Sequence, residues 1–205
     1  MRVNSAIAFT AALAMSSIAP SLHAQDGDTA KVAGQVCASC HGSRGESISP
    51  AFPKIGGQGT EYLETQLKAF RDRTRADPMA QAYMWGMTSQ LTDGTIKQLA
   101  AFYGSQKPPK GKAADPKLAA AGKAIYEGGI PAAKVQACVA CHGKEAAGNG
   151  AFPRLAGQHA EYLVKQLVLF KSSQREGGNA VIMHAISTGM SFEQMEAVAA
   201  YLASK

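Results

Sequence analysis

The sequence has few of the residues that build a large apolar core or a membrane anchor. Aromatic residues make up 7% of the 205 residues, and tryptophan occurs once. Beyond the N-terminal residues, no apolar run is long enough to cross a bilayer. No stretch of useful length alternates polar and apolar residues, which argues against half-buried strands. The chain is therefore predicted to be all-α, and each part of it to have a thin core.

Cysteine is equally scarce, and its placement is informative. All four cysteines lie in two short runs, Cys37-Ala38-Ser39-Cys40-His41 and Cys138-Val139-Ala140-Cys141-His142, so none remains for a disulfide. A C-x-x-C-H run is typical of haem c attachment, in which two thiols bind the haem vinyl groups and the histidine binds the iron. We therefore predict two covalently bound haem c groups. The attachment residues are Cys37, Cys40, Cys138 and Cys141, and the axial histidines are His41 and His142.

A zinc site shared by the two runs is an alternative interpretation of the same residues. Zinc ribbons place their two C-x-x-C knuckles about 15–20 residues apart. Here Cys138 lies a whole repeat beyond Cys37, and each run carries an adjacent histidine. Both features favour haem over zinc.

The N-terminal residues have the pattern of a secretory signal peptide. Arg2 supplies a short positive region, residues 7–18 are apolar and rich in alanine, and cleavage after Ala24 would leave Gln25 as the mature start. An uncleaved anchor is the alternative, although the apolar run is short for a membrane span. Export agrees with haem c, since thioether attachment takes place outside the cytoplasm.

The charge of the chain does not indicate a nucleic-acid partner. The formal charge of +6 falls to +5 without residues 1–24, whose one charged residue is Arg2, and ionised haem propionates lower it further. No cluster of lysine and arginine with interleaved aromatic residues is present. The sequence therefore predicts no binding to nucleic acid.

Residues 25–205 are an internal duplication. Ala51-Phe52-Pro53 recurs as Ala151-Phe152-Pro153, and Glu61-Tyr62-Leu63 recurs as Glu161-Tyr162-Leu163. A segment rich in proline, glycine and lysine separates the two halves. We predict a signal peptide at residues 1–24, an N-terminal domain at 25–105, a linker at 106–116 and a C-terminal domain at 117–205.

Each half is predicted to be mostly helical. Tyr62, Leu63, Leu67 and Phe70 form an apolar helix stripe that the second half repeats. The last helix of the second half begins at a capping box, Ser191 to Gln194, and Thr92 is the equivalent N-cap of the first half.

The repeat also selects the second axial ligand of each iron, which decides between electron transfer and an open catalytic position. Met84 matches Met183, whereas the other candidate methionines have unlike partners. These pairs are Met87 with Ile186, Met79 with Gly178, and Met190 with Leu91. We predict that Met84 and Met183 bind the two irons. The alternative is that both fill gaps in the core, as methionine often does.

Two histidines and two arginines also require an interpretation. His184 could replace Met183 as a ligand, but its counterpart Trp85 cannot bind iron, and His159 is interpreted as a polar residue at a helix entry. Arg75 and Arg175 match across the repeat and are candidates to pair with haem propionates; solvated surface arginine is the alternative. The carbonyls of Pro53 and Pro153 are candidates to orient the axial histidines.

These residues together resemble the dihaem cytochromes c4 across residues 25–205. The resemblance is carried by the two Cys-x-x-Cys-His-Gly runs, by residues 52–58 and 152–158, and by the Met84 and Met183 loops. It implies two tandem class I cytochrome c domains related by pseudo-twofold symmetry, with haem edges facing across the interface.

The resemblance further implies a periplasmic electron carrier between respiratory donors and a terminal oxidase or reductase. Its partners would be redox proteins, and a loose association with the membrane is also implied. With both axial positions filled, the protein is predicted not to be an enzyme. Two alternatives stay open: a dihaem enzyme of the peroxidase or thiosulfate-oxidising type, and a dihaem subunit of a flavocytochrome c complex.

Overall fold

A computed structural model of the chain describes residues 26–205, so the predicted signal peptide lies outside the described part. Those residues form short and medium helices with two isolated β-bridges and no strand, as the sequence predicts. The α-helices are α1 (Asp26–Lys31), α2 (Ala38–His41), α3 (Thr60–Arg71), α4 (Trp85–Thr88), α5 (Asp93–Gly104), α6 (Pro116–Gly128), α7 (Val139–His142), α8 (Ala160–Lys171), α9 (Ala180–Thr188) and α10 (Phe192–Ser204). Two π-helical segments, Val32–Cys37 and Ala80–Met84, and one 3₁₀ turn, Pro131–Ala133, complete the set.

The duplication in the sequence is visible in the order of these helices. The cysteine-bearing helices α2 and α7 are each followed by a long helix, α3 or α8, and each half ends with another long helix, α5 or α10. The predicted N-caps are confirmed. Thr92 accepts a hydrogen bond from the Thr95 amide, and Ser191 and Gln194 form both hydrogen bonds of a capping box.

Each half has its own apolar core. The core of the N-terminal half is small and includes Leu63, Leu99 and Tyr103. The core of the C-terminal half is larger, because α6 packs closely on α10 at Gly122, where a Cβ would lie 1.9 Å from the Ala197 carbonyl oxygen.

The segment that precedes the cysteine-bearing helix differs between the two halves. The π-helical segment Val32–Cys37 joins α1 directly to α2, whereas α6 ends at Gly128 and a loop pinned by an Ile130–Val135 bridge precedes α7. The first half has no counterpart of this loop, since its chain is helical from Asp26 to His41.

Residues 105–115 connect the halves without forming a helix, and they lie against both. Pro108 packs on Gly57, where a Cβ would be 2.6 Å away, and the Lys112 amide donates to the Ala203 carbonyl at 2.9 Å. The connection is therefore part of the packed structure rather than a free tether.

The boundaries 25–105, 106–116 and 117–205 stay predictions. No helix in residues 26–205 has the length and apolar character to cross a membrane.

Candidate haem sites

Two one-turn helices place the cysteine–histidine runs at the wall of a cavity that both halves line. Both α2 and α7 end at a glycine with positive φ, Gly42 at 82° and Gly143 at 78°, a conformation that residues with a side chain rarely adopt. The preceding histidines, His41 and His142, are buried. Each turn thus presents its two cysteines and its histidine together, as attachment of one haem requires.

Each of these histidines is oriented by a proline carbonyl and an aromatic ring. Nδ1 of His41 donates to Pro53 O, and Nδ1 of His142 donates to Pro153 O, both at 2.9 Å. Phe52 packs edge-on against the His41 ring, as Phe152 does against His142. The bonds leave Nε2 of each ring available to a metal. Burial lowers the pKa of both histidines, with a smaller opposing effect of the proline carbonyls, and so favours the neutral form that binds metals.

A cavity of about 500 Å³ runs along both halves and brings together most of the predicted ligands. The predicted site residues in its wall are Cys37, His41, Met84, Cys138, Cys141, His142 and Met183. Cys40 is half-buried on α2 but is not part of this wall. Residues of both halves therefore line the same space.

The remaining methionines divide into exposed, packed and cavity-lining residues. Met87 is 54% exposed, whereas Met190 is buried and packs in the C-terminal core with Met195. Met79 and Met190 also reach the cavity wall. Proximity to the cavity therefore leaves Met79 as a rival to Met84, and the repeat pairing with Met183 is what favours Met84.

His184 and its counterpart in the first half, Trp85, each donate a hydrogen bond to a backbone carbonyl. Nε2 of His184 donates to the Arg175 carbonyl at 2.7 Å, and Nε1 of Trp85 donates to the Arg75 carbonyl at 2.9 Å. The two unlike side chains make the same hydrogen bond at matching positions. Met183 lines the cavity and His184 does not, which supports Met183 rather than His184 as the ligand.

The interpretation of Arg75 and Arg175 as solvated surface residues is wrong. Both are 6% exposed and stack over a phenylalanine ring of their own half. Each donates to the glutamine of its own half and to that of the other. Arg75 bonds Gln66 at 2.7 Å and Gln166 at 3.2 Å, and Arg175 bonds Gln166 at 2.7 Å and Gln66 at 3.1 Å. The arrangement is reciprocal, as a pseudo-twofold interface demands.

A second reciprocal contact uses Gln58 and Gln158, whose role the sequence analysis missed. The Gln58 amide group pairs with the backbone N–H and C=O of Arg154, and Gln158 pairs with those of Lys54, with distances of 2.7–3.0 Å. The signal was available, since both glutamines occur at matching positions of the repeat. His159, interpreted as a helix-entry residue, is buried and donates from Nε2 to the Ser47 carbonyl of the other half at 2.9 Å.

The residues present fit haem better than zinc. Nε of Arg154 is buried at the cavity wall without a hydrogen-bond partner, and an anionic group such as a propionate would satisfy it. Burial raises the pKa of the Cys138 thiol to about 11, which disfavours the thiolate that zinc binds. No three His, Cys, Asp or Glu side chains in the described part of the chain are grouped so as to hold a metal ion.

Paired C-x-x-C-H turns on a duplicated all-α fold, each facing a shared apolar cavity, define a dihaem c-type cytochrome. The family model for cytochrome c matches residues 27–107 and again 119–205. The chain belongs to the cytochrome c family, and two tandem domains of this kind carry two covalently attached haem c groups.

Individual relatives indicate which kind of cytochrome c this chain resembles. Cytochrome c4 of Azotobacter vinelandii is 39% identical over 186 residues, which cover 86% of this chain and 88% of the relative. The cytochrome c4 structure from Acidithiobacillus ferrooxidans superposes with a TM-score of 0.77 at 37% identity, covering 82% of this chain and 98% of that one. A thiosulfate dehydrogenase electron acceptor of Thiomonas intermedia is 35% identical and covers 82% of this chain and 78% of the relative. The similarity to dihaem cytochromes c4 is thus confirmed over nearly all of the described residues, and it identifies a dihaem electron carrier.

Proposed function

We propose that the protein is a periplasmic electron carrier that passes electrons from respiratory donors to a terminal oxidase or reductase, and that it is not itself an enzyme. The observation that carries this proposal is that each half presents one cysteine–histidine turn and one matched methionine to the same cavity. A protein that fills both axial positions has no open coordination site for a substrate. Signal-peptide cleavage after Ala24 and a loose association with the membrane belong to the same proposal.

In this proposal the chain's own residues fix and tune the cofactors. Cys37 and Cys40 attach the haem of domain 25–105, and Cys138 and Cys141 attach that of domain 117–205. His41 and Met84 would bind the iron of the first haem, and His142 and Met183 would bind that of the second. A bound haem supplies a reversible one-electron couple, and methionine ligation raises its potential. The proline carbonyls hold the histidines in place, and most of the cavity wall around them is apolar.

The matched methionines provide the test. Met84→Ala is expected to open the N-terminal haem to exogenous ligands such as imidazole, and Met183→Ala to open the C-terminal haem. Each variant should lose about half of the weak sulfur-to-iron absorption band of the oxidised protein. Met87→Leu is the exposed control, and Met79→Leu tests the rival in the cavity wall. If Met79→Leu lost half of the band and Met84→Ala kept all of it, the assignment of Met84 would be overturned.

A second candidate function specifies the electron donor. Relatives from Thiomonas intermedia and from Stutzerimonas stutzeri are named thiosulfate dehydrogenase electron acceptors, at 35% and 33% identity. We therefore propose a thiosulfate dehydrogenase as one donor class. Reduction of this protein should then require both thiosulfate and the dehydrogenase. Reduction by thiosulfate alone would instead support a thiosulfate-oxidising activity of the chain itself.

A further inference from the structure

The two buried arginines of the interdomain interface have different counter-charges. Nε of Arg75 donates to Oδ2 of Asp77 at 2.8 Å, and these side chains are 7% and 1% exposed. Arg175 is equally buried, yet its partners are Gln166, Gln66 and the Tyr62 hydroxyl, all of them neutral. In the part of the chain that the structure describes, Arg175 forms no salt bridge. Among the described side chains, the network therefore holds a guanidinium paired with a carboxylate in the N-terminal half and a guanidinium without an acidic partner in the C-terminal half.

The backbone explains why the second half has no equivalent acid. The repeat places Gly177 opposite Asp77, since Arg75 matches Arg175 and each of the two residues lies two positions further along the chain. Gly177 has a φ of 86°, and a Cβ there would lie 3.0 Å from the carbonyl oxygen of Thr74 in the other half. The close approach of the two backbones therefore disfavours any side chain at this position.

Asp77 is also held firmly within the N-terminal half. Its Oδ1 accepts the Ala80 amide at 3.2 Å, at the start of the π-helical segment Ala80–Met84. Asp77 lines the same cavity as Met84. The carboxylate thus occupies a fixed place in the segment that leads to the proposed axial ligand of the N-terminal haem.

A fixed charge on a buried side chain acts strongly on a nearby redox centre, because little solvent screens it. A carboxylate stabilises the oxidised haem, which carries one more positive charge than the reduced haem. An uncompensated guanidinium has the opposite effect and stabilises the reduced haem. Surrounding charge and burial are known to tune haem potentials beyond the axial ligands.

We propose that Asp77 lowers the reduction potential of the N-terminal haem, and so shifts a single electron in the half-reduced protein away from that haem. In the exchange between the sites one haem is oxidised as the other is reduced, and no further reactant is needed. This inference rests on the proposed dihaem carrier function with matched His/Met ligation.

The test is a redox titration of the Asp77→Asn holoprotein in which the two haems are resolved. Haem methyl NMR signals would assign each titration through contacts with Met84 or Met183. Asparagine keeps an oxygen for the Ala80 amide but removes the charge. The N-terminal potential should rise, and the distribution of one electron between the haems should shift toward the N-terminal haem at least tenfold, which is about 59 mV for a one-electron couple.

Asp93→Asn is the matched control, because it removes the same charge from the same half at an exposed side chain paired with Arg71. It should shift the distribution by much less than tenfold, since solvent screens exposed pairs. Equal shifts in Asp77→Asn and Asp93→Asn, or a shift confined to the C-terminal haem, would overturn the proposal.

Arg175→Gln is a second variant that decides the question if Asp77→Asn yields no holoprotein. Removal of the Arg175 guanidinium should lower the reduction potential of the C-terminal haem. The single electron should therefore again shift toward the N-terminal haem. An unchanged C-terminal potential would contradict the charge imbalance. The sulfur-to-iron band is measured in parallel: its presence in both variants shows that ligation is intact, whereas its absence from the unmutated protein would refute the proposed carrier function instead.

Discussion

At the scale of the residue, His159 shows how a role can depend on a partner that is distant in sequence. The N-cap position that the sequence indicates is correct, but the side chain does not cap its helix and instead bonds Ser47 of the other half. Its pKa is lowered by burial first, and then by the positive charges of Lys54 and Lys112. The Ser47 carbonyl and Glu161 oppose this effect without reversing it.

We therefore expect His159 to make stability depend on pH. Its folded pKa lies below its unfolded value, so the unfolded chain binds the proton more readily, and stability falls as the pH drops through the ordinary histidine range near 6.5. His159→Gln keeps a donor for Ser47 and cannot become charged. Thermal unfolding of the holoprotein at pH 7.5 and 5.5 should show a smaller loss in the variant than in the wild type. Equal losses in both proteins would contradict the assignment.

At the scale of the element, the packing of α6 on α10 distinguishes the second half from the first. Gly122 allows the two helices to approach, since its position has no room for a methyl group beside Ala197. Gly122→Ala should therefore destabilise the protein by about 1–3 kcal/mol, through overpacking against backbone that cannot move aside. The free energy of unfolding in urea is the measurement.

Gly128, at the end of the same helix, is the matched control for this prediction. A Cβ there has no neighbour within 4 Å. Gly128→Ala should leave stability unchanged or raise it by up to about 1 kcal/mol, because alanine loses less backbone entropy than glycine on folding. Similar destabilisation by the two substitutions would show that the helix crossing is not the cause.

The N-caps of α5 and α10 give a further prediction at this scale. Ser191→Ala removes the side-chain acceptor of the Gln194 amide, and Thr92→Ala removes that of the Thr95 amide. Each should cost about 1 kcal/mol of stability, the usual effect of losing a cap. Ser204→Ala, at the exposed end of α10, is the control and should change the unfolding midpoint little. A cost for Ser204→Ala as large as that for Ser191→Ala would argue against the capping effect.

At the scale of the whole molecule, the reciprocal glutamine contacts hold the two halves in one orientation. We expect electrons to pass between the haems within one molecule, so that after rapid partial reduction the redistribution rate does not depend on protein concentration. Gln58→Ala with Gln158→Ala should slow this step, because the double variant loses four hydrogen bonds to the opposite half. Stopped-flow absorbance over a tenfold range of protein concentration is the measurement. A rate that rises with concentration would mean that the domains act as independent carriers.

The sequence by itself determined the features that depend on local chemistry and on the repeat. The C-x-x-C-H spacing predicts covalent haem, the caps Thr92 and Ser191 define the starts of their helices, and pairing across the halves favours Met84 and Met183 over the other methionines. These patterns are readable because each one depends on residues close in the chain or on two copies of the same constraint.

Only the tertiary structure decided the features that join one half to the other. The hydrogen bond from His159 to Ser47, the burial of Arg75 and Arg175, and the pairing of Asp77 with Arg75 all depend on how the two halves pack. The repeat could not predict Asp77, because its counterpart is the glycine that the backbone contact with Thr74 requires. Positions where the two copies differ carry no pattern in the sequence, and their roles follow from the contact between unlike partners in space.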